Sequence, residues 1–248
     1  VAWKKLLFEG DLSTLSSIAV DSHTKLLIHS DNANTNTDFL DSSAEGHTIT
    51  AAGNVQHLVD QKYYGASSIY FDGTGDYLKI LDHEDWDFGT RDFTVDLWVM
   101  FRTVPTGGSV QTLIDFNSAN WMIDQAENLL RVTLEGASAH TFSFTPSVTT
   151  WYHIAVVKRW DGTNHKLMAF VNGALVGSAI SLTGDEITNG VNISGTSDLM
   201  IGMNNGSANL FLGWMDEIRI SKGIARWKGD FSTALPDKAS ANSTAFVV

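Results

Sequence analysis

From residue 67 onward the chain is a succession of short apolar segments cut by turn residues, with no stretch of helical periodicity. That pattern predicts strands at residues 67–71, 77–80, 93–101, 111–115, 121–124, 129–134, 140–144, 151–159, 166–171, 174–178, 198–201 and 214–221. A first strand is predicted upstream at residues 24–29. Asp72-Gly73, Asp161-Gly162 and Asn172-Gly173 are turn signals, because glycine accepts a positive φ at no steric cost. The best hairpin joins 166–171 to 174–177 through Asn172-Gly173. About a dozen short strands in one chain can bury their apolar faces only against each other. They predict an all-β fold, a large antiparallel sandwich or jelly roll.

The 248 residues, 43% hydrophobic, suffice for a full core, and the length suits one large all-β domain better than two small ones. Residues 1–23 read as an N-terminal arm, a short apolar run followed by a Ser/Thr-rich stretch. Residues 232–248 read as a C-terminal tail, polar until Phe246-Val247-Val248, which is either a frayed end or an apolar plug for a neighbouring subunit.

Charge narrows the partners. The formal net charge is −12 and the Lys and Arg residues are scattered, so nucleic acid, which needs a basic stripe, is set aside. With no cysteine there are no disulfides, thiolate metal sites or cysteine nucleophiles. No stretch approaches the roughly 18 apolar residues of a membrane span. The opening V-A-W-K-K has too short an apolar run for a signal peptide, which predicts synthesis in a cytoplasm without export.

Within residues 211–227, F-L-G-W-M-D-E-I-R-I-S-K-G-I-A-R-W, the carboxylates of Asp216 and Glu217 interrupt what otherwise reads as a buried strand. Strict alternation puts Trp214, Asp216, Ile218 and Ile220 on one face and Met215, Glu217, Arg219 and Ser221 on the other. Arg219 then suits Glu217, and Asp216 needs a backbone donor or a cation, since burying an isolated charge costs several kcal/mol.

Four segments, in order, resemble a LamG-like jelly roll of the concanavalin A-like lectin/glucanase superfamily. They are residues 65–78 (G-A-S-S-I-Y-F-D-G-T-G-D-Y-L), 91–99 (R-D-F-T-V-D-L-W-V), 150–158 (T-W-Y-H-I-A-V-V-K) with 169–176 (A-F-V-N-G-A-L-V), and 211–227; with the first strand they imply a two-sheet jelly-roll domain over residues 24–231. In this fold Phe93, Val95, Leu97 and Val99 line the space between the sheets. Trp151, His153, Ala155 and Val157 are expected to form the opposite wall. More narrowly, the opening A-W-K-K-L-L-F-E-G-D-L-S and the ending D-E-I-R-I-S-K-G-I-A-R-W, then Phe231, resemble LamG-like proteins of tailed bacteriophages. That likeness implies location in a virion after synthesis in the host cytoplasm, with other virion proteins as partners through the arm and tail. A homo-oligomer is compatible with such a role.

Catalytic signatures are missing from the sequence. Glycosidases of this superfamily carry Glu-x-Asp-x-Glu on one strand, and the seven glutamates here never bracket an aspartate that way. Residues 82–87, D-H-E-D-W-D, read as a solvated acidic turn or an incidental cation site. No G-x-S-x-G elbow occurs, and the histidines lack H-x-H or H-E-x-x-H spacing, which argues against zinc. His153 reads as a satisfied core residue.

Many relatives hold a structural Ca2+ at the sandwich edge through an aspartate near the last strand and a backbone carbonyl. The resemblance assigns these to Asp216 and Gly65. Because Ca2+ takes six to eight oxygens, Asp31 in the D-N-A-N-T-N-T-D loop is a further candidate. The alternative is an Asp216 bonded to backbone N–H groups without metal. A candidate glycan rim is Asn117, Asn120 and Trp121 on one loop and Asn204, Asn205 and Asn209 on another, which pair planar amides with an aromatic face; the alternative is that the asparagines are ordinary turn residues and Trp121 is core. Two functions follow: a non-enzymatic virion structural protein (capsid decoration, fibre or tail-associated), or a carbohydrate-binding module recognising a cell-surface glycan.

Overall fold

The computed structural model describes residues 21–116, 121–134, 139–184, 186, 198–206 and 208–236. These form two antiparallel sheets packed face to face, as the strand pattern demands.

The larger sheet is built around two long strands, β6 (Phe93–Phe101) and β16 (Leu212–Lys222), numbered in chain order. Beyond β6 lie β11 (Trp151–Trp160), β12 (His165–Val171) and β13 (Ala174–Leu175), with β14 (Ile180–Ser181) also on β12. The other edge of β16 is shared between two strands. Residues 212–215 pair with β4 (Ser68–Asp72), which carries β3 (Gln56–Leu58), and residues 218–221 pair with β1 (Thr24–Ile28). The second sheet runs β10 (His140–Ser143), β9 (Leu129–Leu134), β8 (Trp121–Ala126), β7 (Gln111–Phe116), β15 (Leu199–Ile201), β5 (Tyr77–Ile80) and β2 (Ile49–Ala52).

The main core lies between the sheets. Phe93, Val95, Leu97 and Val99 point into it as expected, meeting Leu78, Ile114, Ile123 and Val132. From β11, however, Tyr152, Ile154 and Val156 face this core. Ala155 and Val157 instead join Met168, Phe170, Ala225, Trp227 and Phe231 in a second apolar cluster. Period 2 identifies two faces but not which is inside, and here segment 223–236 covers the outer one.

Sequence pattern also missed β2, β3 and β14, which are short and only partly buried. The 3-10 turn Glu84–Trp86 carries no signal in the strand pattern either; His83 caps it and the buried Trp86 anchors it. Asp21 is tied to Arg226 by two hydrogen bonds of 2.9 Å, so the end of the predicted arm docks on the sandwich. Residues 1–20 and 237–248, including Phe246-Val247-Val248, lie outside the described residues.

Candidate functional site

A bulge in β16 creates the site. Between Asp216, opposite Trp98, and Arg219, opposite Asp96, β16 holds one residue more than β6, and Glu217 takes φ +50°. The extra residue inverts the alternation. Met215, Ile218 and Ile220 all enter the main core, correcting the faces expected from strict period 2. Arg219 therefore emerges on the outer face and pairs with Asp96, not Glu217, while His29 Nδ1 lies 2.8 Å from Glu217 Oε2. The bulge also falls where β16 changes partner from β4 to β1, leaving two residues of its edge to be met by loops.

The loop before β4 fills that break. The N–H groups of Tyr63 and Tyr64 donate to Asp216 Oδ2 at 3.3 and 3.0 Å, and the Glu217 N–H donates to Oδ1 at 2.9 Å. Burial nevertheless pushes the Asp216 carboxyl up to about 7; the neighbouring Glu217 charge adds to the rise and the N–H donors oppose it. The same loop captures Asp31, whose Oδ1 accepts the Ala66 N–H at 2.8 Å. Gly65 sits against it at φ +63°, where a Cβ would lie 1.6 Å from Asp31 Oδ1.

Asp31, Gly65 and Asp216 thus share one rim. Two carboxylates and a glycine that no side chain could replace suit a hard cation. Asp216 also has the backbone donors foreseen as the alternative to a metal. Among the described residues, no third acidic or histidine side chain joins Asp31 and Asp216 to form a compact ligand group.

Beside this rim lies a cleft of about 210 Å³ lined by His29, Asp31, Asn32, Asp38, Leu40, Ser42 and His57. Its floor is fixed. His57 Nε2 donates to the Asp38 carbonyl at 3.0 Å, its Nδ1 accepts from Ser30 Oγ at 2.6 Å, and its ring stacks on Phe39. Burial lowers the His57 pKa and keeps the ring neutral, as that bonding requires. Leu40 is 72% exposed, an apolar surface at the mouth. On the other side of the loop, Tyr63 stacks on Trp98 with centroids 3.6 Å apart and stays 37% exposed. The sequence flags Asp31 but not His29, His57 or Tyr63, since no local pattern links residues brought together from three separate segments.

The asparagine loops are arranged differently. Asn204 Oδ1 accepts the Ala208 N–H at 2.8 Å, the Asn205 N–H donates to Asp115 Oδ2 at 2.7 Å, and Asn209 adopts φ +55° while its carbonyl accepts the Thr112 N–H. Much of this polar capacity serves to close the turn. Asn117 and Asn120 lie outside the described residues. Trp121 is 1% exposed and packs against Phe93 and Phe116, so its ring is core and cannot stack on a sugar, correcting that expectation.

Comparison with known proteins places these observations. The Laminin_G_3 family model, of the concanavalin A-like lectin/glucanases superfamily, matches residues 72–226. No curated protein matches the chain in sequence. Among solved structures, the binding domain of botulinum neurotoxin DC in complex with SialylT is similar at TM-score 0.60 and 16% identity, over 83% of this chain and 50% of that one. The same binding domain in complex with rat synaptotagmin II gives 0.58 and 15% over 83% and 50%. A botulinum neurotoxin type C structure, described by the dependence of cell entry on two ganglioside molecules, gives 0.59 and 15% over 86% and 50%. The chain spans about half the length of these structures, and at such identity the likeness is one of fold.

Proposed function

Because the chain belongs to the concanavalin A-like lectin/glucanases superfamily, we propose that it is a non-catalytic carbohydrate-binding module for a cell-surface glycan, steadied by Ca2+ at the Asp31–Gly65–Asp216 rim. The observation that carries this is the cleft of about 210 Å³ adjoining that rim. It is smaller than the roughly 300–1,000 Å³ of drug-sized sites, so it suits a single sugar unit at the end of a chain. Asp31, Asp38 and Ser42 offer acceptors and donors for hydroxyls, and Leu40 offers an apolar face; the Asn32 amide is spent on Asn36, Asp38 and Ala33 within its own loop. Asp31 and Asp216 would hold the cation, with the Gly65 carbonyl as a third donor. When bound, Ca2+ supplies positive charge that offsets the buried Asp216 carboxylate and fixes the 63–66 loop. Solved binding domains of the same fold are described with SialylT and gangliosides, which supports a glycan as the ligand class. Hydrolysis is set aside because no strand carries Glu-x-Asp-x-Glu.

The phage-like ends of the sequence motivate the second assignment, a virion structural protein attached through its arm and tail and able to self-associate. A glycan array probed with the full chain, in Ca2+ and in EDTA, tests the first. Binding that needs Ca2+ and is lost in Asp38→Ala supports the cleft. Binding kept in Asp38→Ala but lost in Asn204→Ala moves the site to the asparagine loop. No binding to any glycan, with phage-particle association lost on deleting residues 1–23, replaces the glycan assignment with the virion one.

A further inference from the structure

Away from that rim, two histidines and an aspartate from separate segments converge. His47 lies just before β2, and His83 and Asp85 belong to the 3-10 turn after β5. His47 Nε2 is 3.1 Å and His83 Nδ1 2.9 Å from the same oxygen, Asp85 Oδ2, and the three ligand atoms all lie within 4.8 Å of one another. We propose that His47, His83 and Asp85 form a binding site for a first-row divalent transition metal of the Zn2+ type, with solvent as the fourth ligand.

Geometry supports it. Around tetrahedral Zn2+, with bonds of about 2.0–2.1 Å, neighbouring ligand atoms stand roughly 3.3 Å apart. The two N···O separations are within a few tenths of an ångström of that figure. The constellation is held in place by its surroundings. Trp86, fully buried, packs its ring 4.7 Å from the His47 ring and donates from Nε1 to the Leu81 carbonyl at 3.2 Å. The His47 N–H is fixed by Asp41 Oδ2 at 2.8 Å. Asp85 Oδ1 faces away, toward Lys25 Nζ at 3.6 Å, and Lys25 is in turn paired with Glu45.

A bound ion would replace the Asp85 N–H, 3.2 Å away, as partner of the His83 Nδ1 lone pair. Charge points the same way. With neutral imidazoles, Asp85, Glu45 and Lys25 sum to −1, favourable to a dication. Two imidazoles and one carboxylate prefer Zn2+ or its neighbours over Ca2+ or Mg2+, which seek oxygen. The His83 side chain is 46% exposed against 11% for His47 and 9% for Asp85, so an ion has an entry path and room for water.

The test is Zn2+ titration by calorimetry of untagged, chelator-treated full chain, with Co2+ absorption as a coordination readout. One Zn2+ per chain is expected, with tetrahedral Co2+ bands. Loss of outer-shell partners alone weakens metal sites by about 10–100-fold, so His47→Gln and His83→Gln should each weaken Zn2+ at least tenfold. Asp216→Asn should leave it unchanged, which separates this site from the Ca2+ rim. Circular dichroism establishes that the variants are folded. Absence of stoichiometric Zn2+ binding, or binding indifferent to both histidine variants, would overturn the proposal and leave a hydrogen-bonded His–Asp–His cluster.

Discussion

Arg219 grips Asp96 from the neighbouring strand with two nearly parallel hydrogen bonds, Nε to Oδ1 at 2.9 Å and a terminal nitrogen to Oδ2 at 3.0 Å. Both side chains are almost wholly buried, beneath Trp227, whose ring centroid lies 5.7 Å from the guanidinium carbon. His153 Nε2 completes the cluster at 3.3 Å from Asp96 Oδ2. So His153 is buried and bonded through Nε2 while its buried Nδ1 has no hydrogen-bond partner, which satisfies it only in part, and it lies on the outer cluster and not between the sheets.

Breaking this pair is expected to be costly. Asp96→Ala leaves a buried guanidinium without its partner and should destabilise by about 3–5 kcal/mol in urea unfolding. A loss below about 1 kcal/mol would mean that water reaches Arg219 when Trp227 shifts.

The same pair sets an acid limit. Burial by itself raises the Asp96 carboxyl, but the Arg219 charge and the His153 contact outweigh it and hold the pKa at about 2, below the ordinary 3.8. A folded-state pKa lower than the unfolded one contributes stability that is complete above the unfolded value and is lost as pH falls through the folded one. Stability should therefore drop between about pH 4 and pH 2, with a shallower drop in Asp96→Asn. Equal slopes in the two proteins across that window would assign the acid sensitivity elsewhere.

Gly65 should tolerate no side chain. At φ +63°, with a Cβ 1.6 Å from Asp31 Oδ1, Gly65→Ala must push Asp31 off the Ala66 N–H. Strain of this kind costs about 1–3 kcal/mol. Thermal melting should show that loss, together with the loss of any Ca2+ effect. A Gly65→Ala chain that melts like wild type would show that the loop relaxes.

Calcium itself is checked through Asp216. Melting temperature should rise in millimolar Ca2+ relative to EDTA for the wild-type chain, and Asp216→Asn should abolish the difference. A wild-type melt indifferent to Ca2+ would leave Asp216 as a carboxylate served by backbone N–H groups alone.

Trp121 separates core from ligand contact. Trp121→Ala should cost about 3–5 kcal/mol as a cavity among Phe88, Phe93 and Phe116. Trp121→Phe, which fills more of that space, should stay folded and bind glycan as wild type does. Selective loss of glycan binding in a folded Trp121→Phe chain would restore the tryptophan to the binding surface.

Strands and fold class can be read from the chain alone, because period-2 alternation, Asp-Gly and Asn-Gly turns and the lack of helical periodicity are local properties. Residues 93–101 and 129–134 were legible to the residue for that reason. The sequence also singled out Asp216, since a carboxylate in an apolar strand demands a partner wherever the strand goes. Alternation could not say which face of β11 is inside, because segment 223–236 makes both faces apolar. Nor could it see the one-residue bulge after Asp216, which moves Ile218 and Ile220 into the core and gives Arg219 to Asp96. Trp121 shows the same limit: an aromatic beside asparagines reads as a sugar platform until its neighbours are known. Which distant residues meet is set by packing: Asp31 reaches Gly65, and His47 reaches Asp85, because such contacts depend on where strands change partners and not on any spacing along the chain.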